Sequence, residues 1–374
     1  MRVDSLRFEG FRNLEDGEIR PCPGVNVIYG TNAQGKTNLL EAIWLLSGNR
    51  SFRGAKDSEL VRFGSEFAKL HAEFFSEGRT QSAEIVYTKG KKEAFLNGVK
   101  QTGASALLGK LCAVVFSPEH LSLIKSGPAE RRSFIDGAVC QIKPSYKDVL
   151  SEYKRTLAQR NTLLKDIPSH SELLDTLEAW DIRLASLGAS IVRIRMKYVK
   201  RLGQCAARYH SGISNGREQL EVSYSSSIPS ENRKSAEEAR DYMLEYMKQH
   251  RRDDILAGFT TIGPHRDDID IRINGESVRV FGSQGQQRSC VLSLKIAEEE
   301  LIKLSVSEEP LVLLDDVLSE LDSSRQEFLL NEIGDRQVFI TCCEAASVER
   351  LREGSAFRVS AGRIESDEKD GENQ

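Results

Sequence analysis

The chain has 374 residues, which allows two or three domains at ~150 residues each. Hydrophobic residues make up 39% of it and charged residues 29%, so it can build a sizeable core and is not disordered as a whole. Lys and Arg total 52 against 56 Asp and Glu, and the net charge of −4 excludes a uniformly basic surface but not a local basic patch. No apolar run approaches the ~18 residues that cross a bilayer, and the cysteines form neither a CxxC metal pair nor an evident disulfide framework. We expect a reduced, cytoplasmic protein without a membrane partner.

Strands and turns around one helix are predicted for the first 125 residues. A short β-branched strand at 24–30 runs into a glycine loop, and a helix over 37–47 follows it. Asn97-Gly98 is typical of a hairpin turn. Further strands are predicted at 69–75, 83–88, 93–96 and 111–116. The last of these is apolar throughout, as is typical of a strand buried on both faces.

The hydrophobic period changes from about residue 129 onwards. Apolar residues recur at helical spacing between Val149 and Leu164, Pro168 interrupts the pattern, and steps of four and three continue beyond it. A single helix over 171–210 would be ~60 Å long. The two segments predict an antiparallel helix pair with its turn near Pro168. Two forms of this pair stay open, namely a buried pair in a globular lobe and a projecting arm.

The remainder of the chain alternates between helices and strands. In chain order we predict strand 220–224, helix 235–256, strands 268–273 and 277–281, helix 286–304, strand 310–317, helix 323–333, strand 336–341 and a hairpin at Ala361-Gly362. Because neither half-sheet is complete alone, the two α/β ends, 1–128 and 258–364, are predicted to fold together as one domain. The intervening residues 129–257 are predicted to form a mainly helical lobe or arm. Residues 365–374 are too polar to pack and are predicted to be a disordered acidic tail.

A glycine-rich loop gives the strongest functional signal. GTNAQGKT satisfies GxxxxGK[ST] and stands between a β-branched strand and an apolar helix, which is the context of a phosphate-binding P-loop. The backbone N–H groups of such a loop surround a phosphate, and the helix N-terminus adds partial positive charge. Lys36 would reach the β- and γ-phosphates of ATP, and the Thr37 hydroxyl would bind Mg²⁺. The predicted ATP-binding residues are Gly30, Thr31, Asn32, Ala33, Gln34, Gly35, Lys36 and Thr37.

A pair of acidic residues follows a second apolar strand. A P-loop needs a carboxylate for its metal ion, and the apolar residues 311–314 lead directly into Asp315. Asp315 is therefore predicted to hold Mg²⁺ together with Thr37. Asp316 stands where a base could polarise the attacking water. The alternative for Asp316 is a solvated acid that caps the next turn.

A Ser/Gly/Gln-rich stretch at 281–288 precedes an amphipathic helix and resembles the signature motif of ABC-type ATPases. In that class the signature of one subunit closes over the γ-phosphate held by the other subunit's P-loop. The resemblance implies that five residues act in trans, namely Ser283, Gln284, Gly285, Gln286 and Gln287. The D-loop of the same class is matched by Ser319, Glu320, Leu321 and Asp322. Without these neighbours the stretch at 281–288 would equally indicate a helix N-cap behind a flexible loop.

Two features of ABC-type ATPases do not match the sequence. The histidine that usually follows the next strand is missing, because residues 338–340 lead to Thr341 and two cysteines. Its absence favours slow hydrolysis, which suits a switch better than a pump. The expected Q-loop glutamine is not evident either, since Ser117 to Glu119 occupy its position.

Three further stretches carry a more specific likeness. They are 116–136, in which Ser126 replaces a usual glycine, 263–268 with the sequence GPHRDD, and 314–322. With the motifs above they resemble the RecF family, a bacterial DNA-repair branch of the SMC/Rad50-like ABC ATPases. The likeness extends from residue 1 to about 362. It implies an α/β fold with an ABC-type P-loop ATPase head, a mixed sheet with an antiparallel N-terminal part, and a helical insertion lobe in place of a long coiled coil.

The same resemblance implies a function. A RecF-like protein is an ATP-dependent dimer that binds double-stranded DNA next to single-strand gaps, and it helps RecR and RecO to load the RecA recombinase. Its weak, DNA-linked ATPase would reset the dimer. ATP and Mg²⁺ are the cofactors that this implies.

A basic stretch suggests where DNA could bind. No acidic residue lies between 193 and 208, and phosphate contacts supply most affinity that does not depend on base sequence. The candidate contacts are Arg193, Arg195, Lys197, Lys200 and Arg201. The alternative is an ordinary solvated helix face. The same ambiguity applies to the cluster of Lys125, Arg131 and Arg132, while His265 is either a sensor near the nucleotide or a buried, hydrogen-bonded histidine.

Two rival functions share the nucleotide motifs. The ATPase subunit of a membrane transporter would carry all three motifs, but it needs the missing histidine and lacks a helical insertion of this size. A scaffold that binds ATP without hydrolysing it would have the same sequence features. Phosphate release separates that scaffold from an enzyme.

Overall fold

The computed structural model describes residues 1–121, 123–334, 336–343 and 354–367. The chain divides into two compact units. The first unit comprises residues 1–122, 209–216 and 284–374, and the second comprises residues 123–208 and 217–283. Residues 258–283 therefore group with the helical segment, whereas the sequence analysis assigned them to the ATPase head. The reason is that residues 268–273 pair as a strand with residues 220–225, a long-range contact that the sequence does not reveal.

Strands and helices are numbered along the chain. The strands are β1 Arg2–Glu9, β2 Gly17–Ile19, β3 Val25–Tyr29, β4 Phe67–Ser76, β5 Arg79–Thr88, β6 Lys91–Leu96, β7 Val99–Lys100, β8 Ala113–Phe116, β9 Leu220–Ser225, β10 Asp268–Ile273, β11 Glu276–Ser277, β12 Leu311–Leu314, β13 Val338–Cys342, β14 Gly354–Ser360 and β15 Arg363–Asp367. The helices are α1 Lys36–Leu46, α2 Pro118–Leu121, α3 Pro128–Ile142, α4 Tyr146–Asp166, α5 Leu177–Ile213, α6 Ala236–Gln249, α7 Arg251–Ala257, α8 Val278–Phe281, α9 Gln284–Val306 and α10 Ser323–Ile333.

Two sheets form the first unit. One is antiparallel with the strand order β2-β1-β4-β5-β6-β7, and the other has the order β15-β14-β3-β13-β12-β8. In the second sheet every neighbouring pair is parallel except β14 with β15. The carboxyl ends of parallel strands meet at one edge of a sheet, where α/β proteins bind their ligands. The predicted α/β class and the antiparallel N-terminal part are confirmed, and that part is a separate sheet.

Helix α1 lies in the core of the first unit. Its residues are buried on nearly all sides, and they share one apolar cluster with strands of both sheets. Leu39 and Ile43 belong to this cluster together with Phe74 from the antiparallel sheet and Phe339 from the parallel one. A helix that is hydrophobic all round is stable only when it is enclosed in this way. The nucleotide-binding motif is therefore fixed between two layers.

The second unit contains an antiparallel helix pair, as predicted. Arg160 of α4 donates a 2.7 Å hydrogen bond to Asp181 of α5, and Arg183 of α5 contacts Glu152 of α4, so the two helices run in opposite directions. Arg160 also binds Asp254 of α7 at 2.8 Å, and it has no exposed surface. This contact with α7 within the second unit favours a helix pair in a lobe over a projecting arm.

Three local predictions need correction. Residues 278–281 form the short helix α8, whereas a strand was expected at 277–281, because β10 and β11 end their pairing at Ser277. The single helix expected over 235–256 is divided into α6 and α7 at His250, whose φ of −100° is not helical. Residues 365–367 belong to β15 and pair with β14. The remainder of the predicted tail, 368–374, lies outside the described residues.

Candidate nucleotide-binding site

The P-loop connects β3 to α1. Its backbone has left-handed φ angles at Gly30 (150°), Ala33 (65°) and Gly35 (117°), which is the geometry that turns successive N–H groups towards a single point. A Cβ atom on Gly30 would lie 2.2 Å from the carbonyl oxygen of Val359, so a side chain cannot be accommodated there. The loop and the N-terminus of α1 together form a cradle for an anion.

Lys36 closes this cradle. Its side chain is almost fully buried, and Nζ donates hydrogen bonds to the carbonyl oxygens of Gly30 at 2.7 Å and Thr31 at 3.2 Å. The ammonium group therefore lies at the positive end of α1, where its charge and the helix dipole repel one another. A bound phosphate would compensate both, so the residues present fit a phosphate group of a nucleoside triphosphate.

Thr37 and Asp315 are brought together by the parallel sheet. The Thr37 hydroxyl donates a 2.9 Å hydrogen bond to Asp315 Oδ1. Asp315 is 4% exposed, and its pKa is raised to about 6. Burial is the largest cause, the hydrogen bonds from Thr37 and Thr341 act against it, and the nearby charges of Asp316 and Glu119 add to it. A carboxylate in this position is stabilised by a cation, and a hydroxyl with a carboxylate oxygen suits Mg²⁺. The two predicted metal-binding residues thus fit the ion.

Thr341 is a further member of the site that the sequence analysis did not predict. Its hydroxyl donates to Asp315 Oδ1 at 2.9 Å and accepts a 2.8 Å hydrogen bond from the Asp316 N–H. It lies in β13, beside β12, where the missing histidine was expected nearby. A hydroxyl residue within an otherwise apolar strand was the signal that could have identified it.

Asp316 has an unusual backbone. It is half-buried with φ at 49°, a conformation that non-glycine residues adopt rarely and that costs free energy. The hydrogen bond from its N–H to Thr341 holds this conformation. Backbone strain of this kind is concentrated at functional sites, and the role of Asp316 as a base stays a prediction.

Both ends of the chain support the P-loop. Asn13 Nδ2 donates to the Ala33 carbonyl oxygen at 3.3 Å. From the β14–β15 hairpin, the N–H groups of Ala361 and Gly362 donate to the side chain and main chain of Gln34 at 2.5 and 3.1 Å. A Cβ atom on Gly362 would lie 2.0 Å from the Asn13 carbonyl oxygen, so only glycine fits. The hairpin is a second element of the site that sequence reasoning missed.

The predicted signature motif begins α9. Gln284 is the first residue of the helix, and Ser283 directly precedes it. In the same unit, Arg288 of α9 donates to the Glu320 carbonyl oxygen at 2.6 Å and to its carboxylate at 2.7 Å, which joins the helix to the predicted D-loop. Whether residues 283–287 act on a partner's nucleotide stays a prediction.

The predicted DNA contacts divide into two groups. Arg195 is 3% exposed, and its guanidinium donates two 2.9 Å hydrogen bonds to Asp136 and one of 2.6 Å to the Pro264 carbonyl oxygen. It is therefore part of the fold, and its prediction as a DNA contact is wrong. The exposed members of the set are Arg193, Lys197, Lys200 and Arg201.

Two members of the smaller basic cluster, Arg131 and Arg132, have structural roles, as does His265, whereas Lys125 is exposed. Arg131 is buried and forms two 2.7 Å hydrogen bonds with Asp268, while Arg132 donates to the Asp267 carbonyl oxygen at 2.8 Å. His265 contacts the Tyr153 hydroxyl at 2.7 Å and the Thr260 carbonyl oxygen at 3.1 Å, and burial lowers its pKa. Of the two readings of His265, the hydrogen-bonded histidine is the one observed.

Comparison with known proteins assigns the family. The family model described as the RecF/RecN/SMC N terminal domain matches residues 2–364. The DNA replication and repair protein RecF of Acetivibrio thermocellus is 43% identical over 367 residues, covering 97% of this chain and 99% of that protein. The chain belongs to the RecF family. The RecF of Bacillus cereus strain B4264 is 39% identical over 369 residues, with 98% of both chains covered.

Solved structures of RecF agree in fold. The recombination mediator protein RecF-ATP in the RecFOR pathway superposes with a TM-score of 0.92 at 37% identity, covering 98% of this chain and 97% of that one. The Smc head domain of Pyrococcus furiosus matches with a TM-score of 0.55 at 16% identity, which shows a shared fold alone. The ABC-type ATPase head that the sequence predicted is thereby confirmed.

Proposed function

We propose that this RecF-family chain is an ATP-dependent DNA-binding protein of replication and recombinational repair. It forms an ATP-closed dimer on DNA at single-strand gaps, promotes RecA loading with RecO and RecR, and is reset by slow hydrolysis. The observation that carries the nucleotide half of this proposal is the 2.9 Å contact between Thr37 and Asp315, beside the buried Lys36. The relatives' names as DNA replication and repair proteins support the other half.

Different residues of the chain have different roles at the nucleotide. The P-loop N–H groups and Lys36 bind and orient the phosphates, while Thr37 and Asp315 hold the metal. When bound, Mg²⁺ would neutralise part of the negative charge of the phosphates. The Asp316 carboxylate would orient a water molecule and accept its proton as the water oxygen bonds to the γ-phosphorus and the bond from that phosphorus to the leaving ADP oxygen breaks.

The dimer is supported by the position of the signature. Residues 284–287 begin a helix directly after Ser283, and the N–H groups of a first helical turn bind anions. A solved relative is described as RecF-ATP, and an ABC-type head supplies half of each nucleotide pocket. In our proposal, ATP joins two heads because each copy completes the other's site. The missing histidine keeps hydrolysis slow.

The DNA-binding surface is proposed on α5. Arg193, Lys197, Lys200 and Arg201 are exposed, and steps of four and three residues place Arg193, Lys197 and Lys200 along one side of the helix. Such a row binds phosphates irrespective of base sequence, so binding should weaken as the salt concentration rises.

Both rival functions make different predictions. In the described part of the chain, no helix is long and apolar enough to cross a membrane. Membership of the RecF family disfavours the transporter subunit, for which membrane flotation remains the direct test. A scaffold that binds ATP without hydrolysis would dimerise with ATP and release no phosphate.

The decisive experiment is sedimentation of the purified chain with and without Mg²⁺-ATP, on gapped and on intact duplex DNA. We expect an ATP-dependent dimer that prefers the gapped duplex, and a Lys36→Ala variant that stays monomeric. A parent chain that stays monomeric with saturating ATP would refute the clamp.

A matched pair of charge reversals tests the DNA surface. Lys200→Glu should weaken binding to the gapped duplex while leaving ATP affinity unchanged. Lys165→Glu is the control, since Lys165 is also exposed and lies in the same unit, but near the other end of the α4–α5 pair, roughly 35 Å away along the helix axis. Equal binding by the two variants would move the DNA site elsewhere.

A further inference from the structure

Two arginines fasten the D-loop to the start of the signature helix within one subunit. Arg288 of α9 binds both the main-chain oxygen and the carboxylate of Glu320, at 2.6 and 2.7 Å. One guanidinium thus fixes the backbone and the side chain of the same D-loop residue. Lysine could not do this, because only the planar guanidinium holds two acceptors in a fixed geometry.

Arg325 of α10 fastens the other end of the D-loop. Its Nε donates to the Ser289 hydroxyl at 2.8 Å, and Nη2 donates to the Gly285 carbonyl oxygen at 3.3 Å. The same guanidinium forms an ion pair with Asp322, whose carboxylate caps the N-terminus of α10. Residues 285–289 at the start of the signature helix are therefore bonded to Glu320 directly and to Asp322 through Arg325.

The D-loop continues this connection to the acidic pair. The Ser319 hydroxyl donates to the Asp316 carbonyl oxygen at 2.7 Å. The Asp316 N–H in turn bonds to Thr341, which binds Asp315. A series of direct hydrogen bonds and chain links therefore runs from the signature helix to the predicted metal-binding carboxylate of the same subunit.

We propose that Arg288 and Arg325 are positioning residues that make the signature helix and the D-loop move as one body. In the dimer, the signature of a subunit contacts its partner's nucleotide, while Asp315 and Asp316 act on its own. When the signature of one subunit closes on its partner's ATP, the D-loop of the same subunit would move with it and set the position of that subunit's own Asp315 and Asp316. ATP binding at either site would then affect the other site. This inference rests on the proposed ATP-closed dimer.

The test is the variant Arg288→Gln, compared with Lys303→Gln. Lys303 lies at the opposite end of α9 and pairs with Glu309, and the exposed fractions of the two pairs match, at 40% and 42% for Arg288 with Glu320 and 43% and 39% for Lys303 with Glu309. We expect Arg288→Gln to keep the monomer's ATP affinity within about twofold and to lower kcat about tenfold, the effect of losing a hydrogen bond to a charged group. The Hill coefficient for ATP should fall towards one. Lys303→Gln should match the parent in all three quantities.

Two further variants show whether Arg288 acts through Glu320. Relative to Arg288→Gln, the variant Arg288→Lys should recover only part of kcat, because lysine restores the positive charge but not the bidentate contact with Glu320. The double variant Arg288→Gln with Glu320→Gln should be no slower than Arg288→Gln alone, since the carboxylate has no partner left to lose. Additive losses would mean that the two residues act independently, which would overturn the proposal.

The outcomes separate this inference from the proposed function. If the parent dimerises with ATP and Arg288→Gln hydrolyses ATP as Lys303→Gln does, the coupling is refuted and the clamp stands. If Arg288→Gln loses thermal stability and ATP affinity together, the arginine supports the fold and the positioning role is refuted. If the parent stays monomeric with saturating ATP, the clamp fails and the coupling fails with it.

Discussion

The Thr341 hydroxyl bonds to the Asp315 carboxylate at 2.9 Å, across the neighbouring parallel strands β13 and β12. Thr37 donates to the same carboxylate oxygen from the P-loop helix, also at 2.9 Å. One buried acid thus joins three segments that are far apart in the chain. Its surroundings decide how the site responds to mutation and to pH.

The variant Thr341→Val tests the contribution of that hydroxyl. Valine has nearly the same shape, but it leaves the Asp316 N–H without its partner and removes one of the hydrogen bonds to Asp315. We expect the free energy of unfolding to fall by about 1–3 kcal/mol and Mg²⁺-dependent ATP binding to weaken. Urea denaturation and equilibrium ATP binding measure the two effects. Thr341→Ser keeps the hydroxyl and is the control; a serine variant as impaired as the valine variant would contradict this account.

Asp315 makes stability depend on pH in the absence of metal. Burial raises its pKa from 3.8 to about 6, so between these values the folded protein holds a proton that the unfolded chain has released. The free energy of unfolding should therefore fall as pH rises through that window, by on the order of 3 kcal/mol. The Asp315→Asn variant has no titrating carboxyl at this position, so its free energy of unfolding should lack this pH dependence. Urea denaturation in EDTA at a series of pH values measures the difference between parent and variant, and a difference that stays constant would refute the prediction.

Asp316→Asn separates binding from hydrolysis. The amide has nearly the same shape and preserves the main-chain bond to Thr341, but it cannot accept a proton from water. We expect ATP to bind with unchanged affinity, phosphate release to stop, and the dimer to persist. Light scattering with saturating ATP measures the dimer. A monomeric Asp316→Asn variant would show that either the base assignment or the clamp is wrong.

Arg195→Ala should destabilise the protein instead of weakening DNA binding selectively. Its removal leaves the carboxylate of Asp136 buried without its charge partner, which costs about 3–5 kcal/mol. Lys197→Ala, two residues away on an exposed side of α5, should leave the free energy of unfolding within about 0.5 kcal/mol of the parent. Thermal denaturation compares the two. Equal melting temperatures for the two variants would contradict the buried ion pair.

The contrast between these two basic residues shows what the sequence can and cannot predict. The P-loop, the acid after β12 and most strands depend on local patterns, and the structure places them as expected. Arg195 follows Ile191 and precedes Val199 at steps of four, so it lies on the buried side of α5. Its partner Asp136 is 59 positions away, and only the folded lobe brings the two charges together. The hairpin at Gly362 was predicted, but its role beside the P-loop and the role of Thr341 were missed, because both roles depend on long-range contacts.

The hairpin contact with Gln34 also has a consequence for protein synthesis. The two residues that meet there, Gln34 and Ala361, are 327 positions apart. At a translation rate of ~5–20 residues per second, the ribosome needs roughly 16 s to a minute to make the second after the first. A nascent head should therefore be unable to retain nucleotide during that interval. Unfinished chains would then be unable to form the proposed ATP-closed dimer while they are still attached to the ribosome.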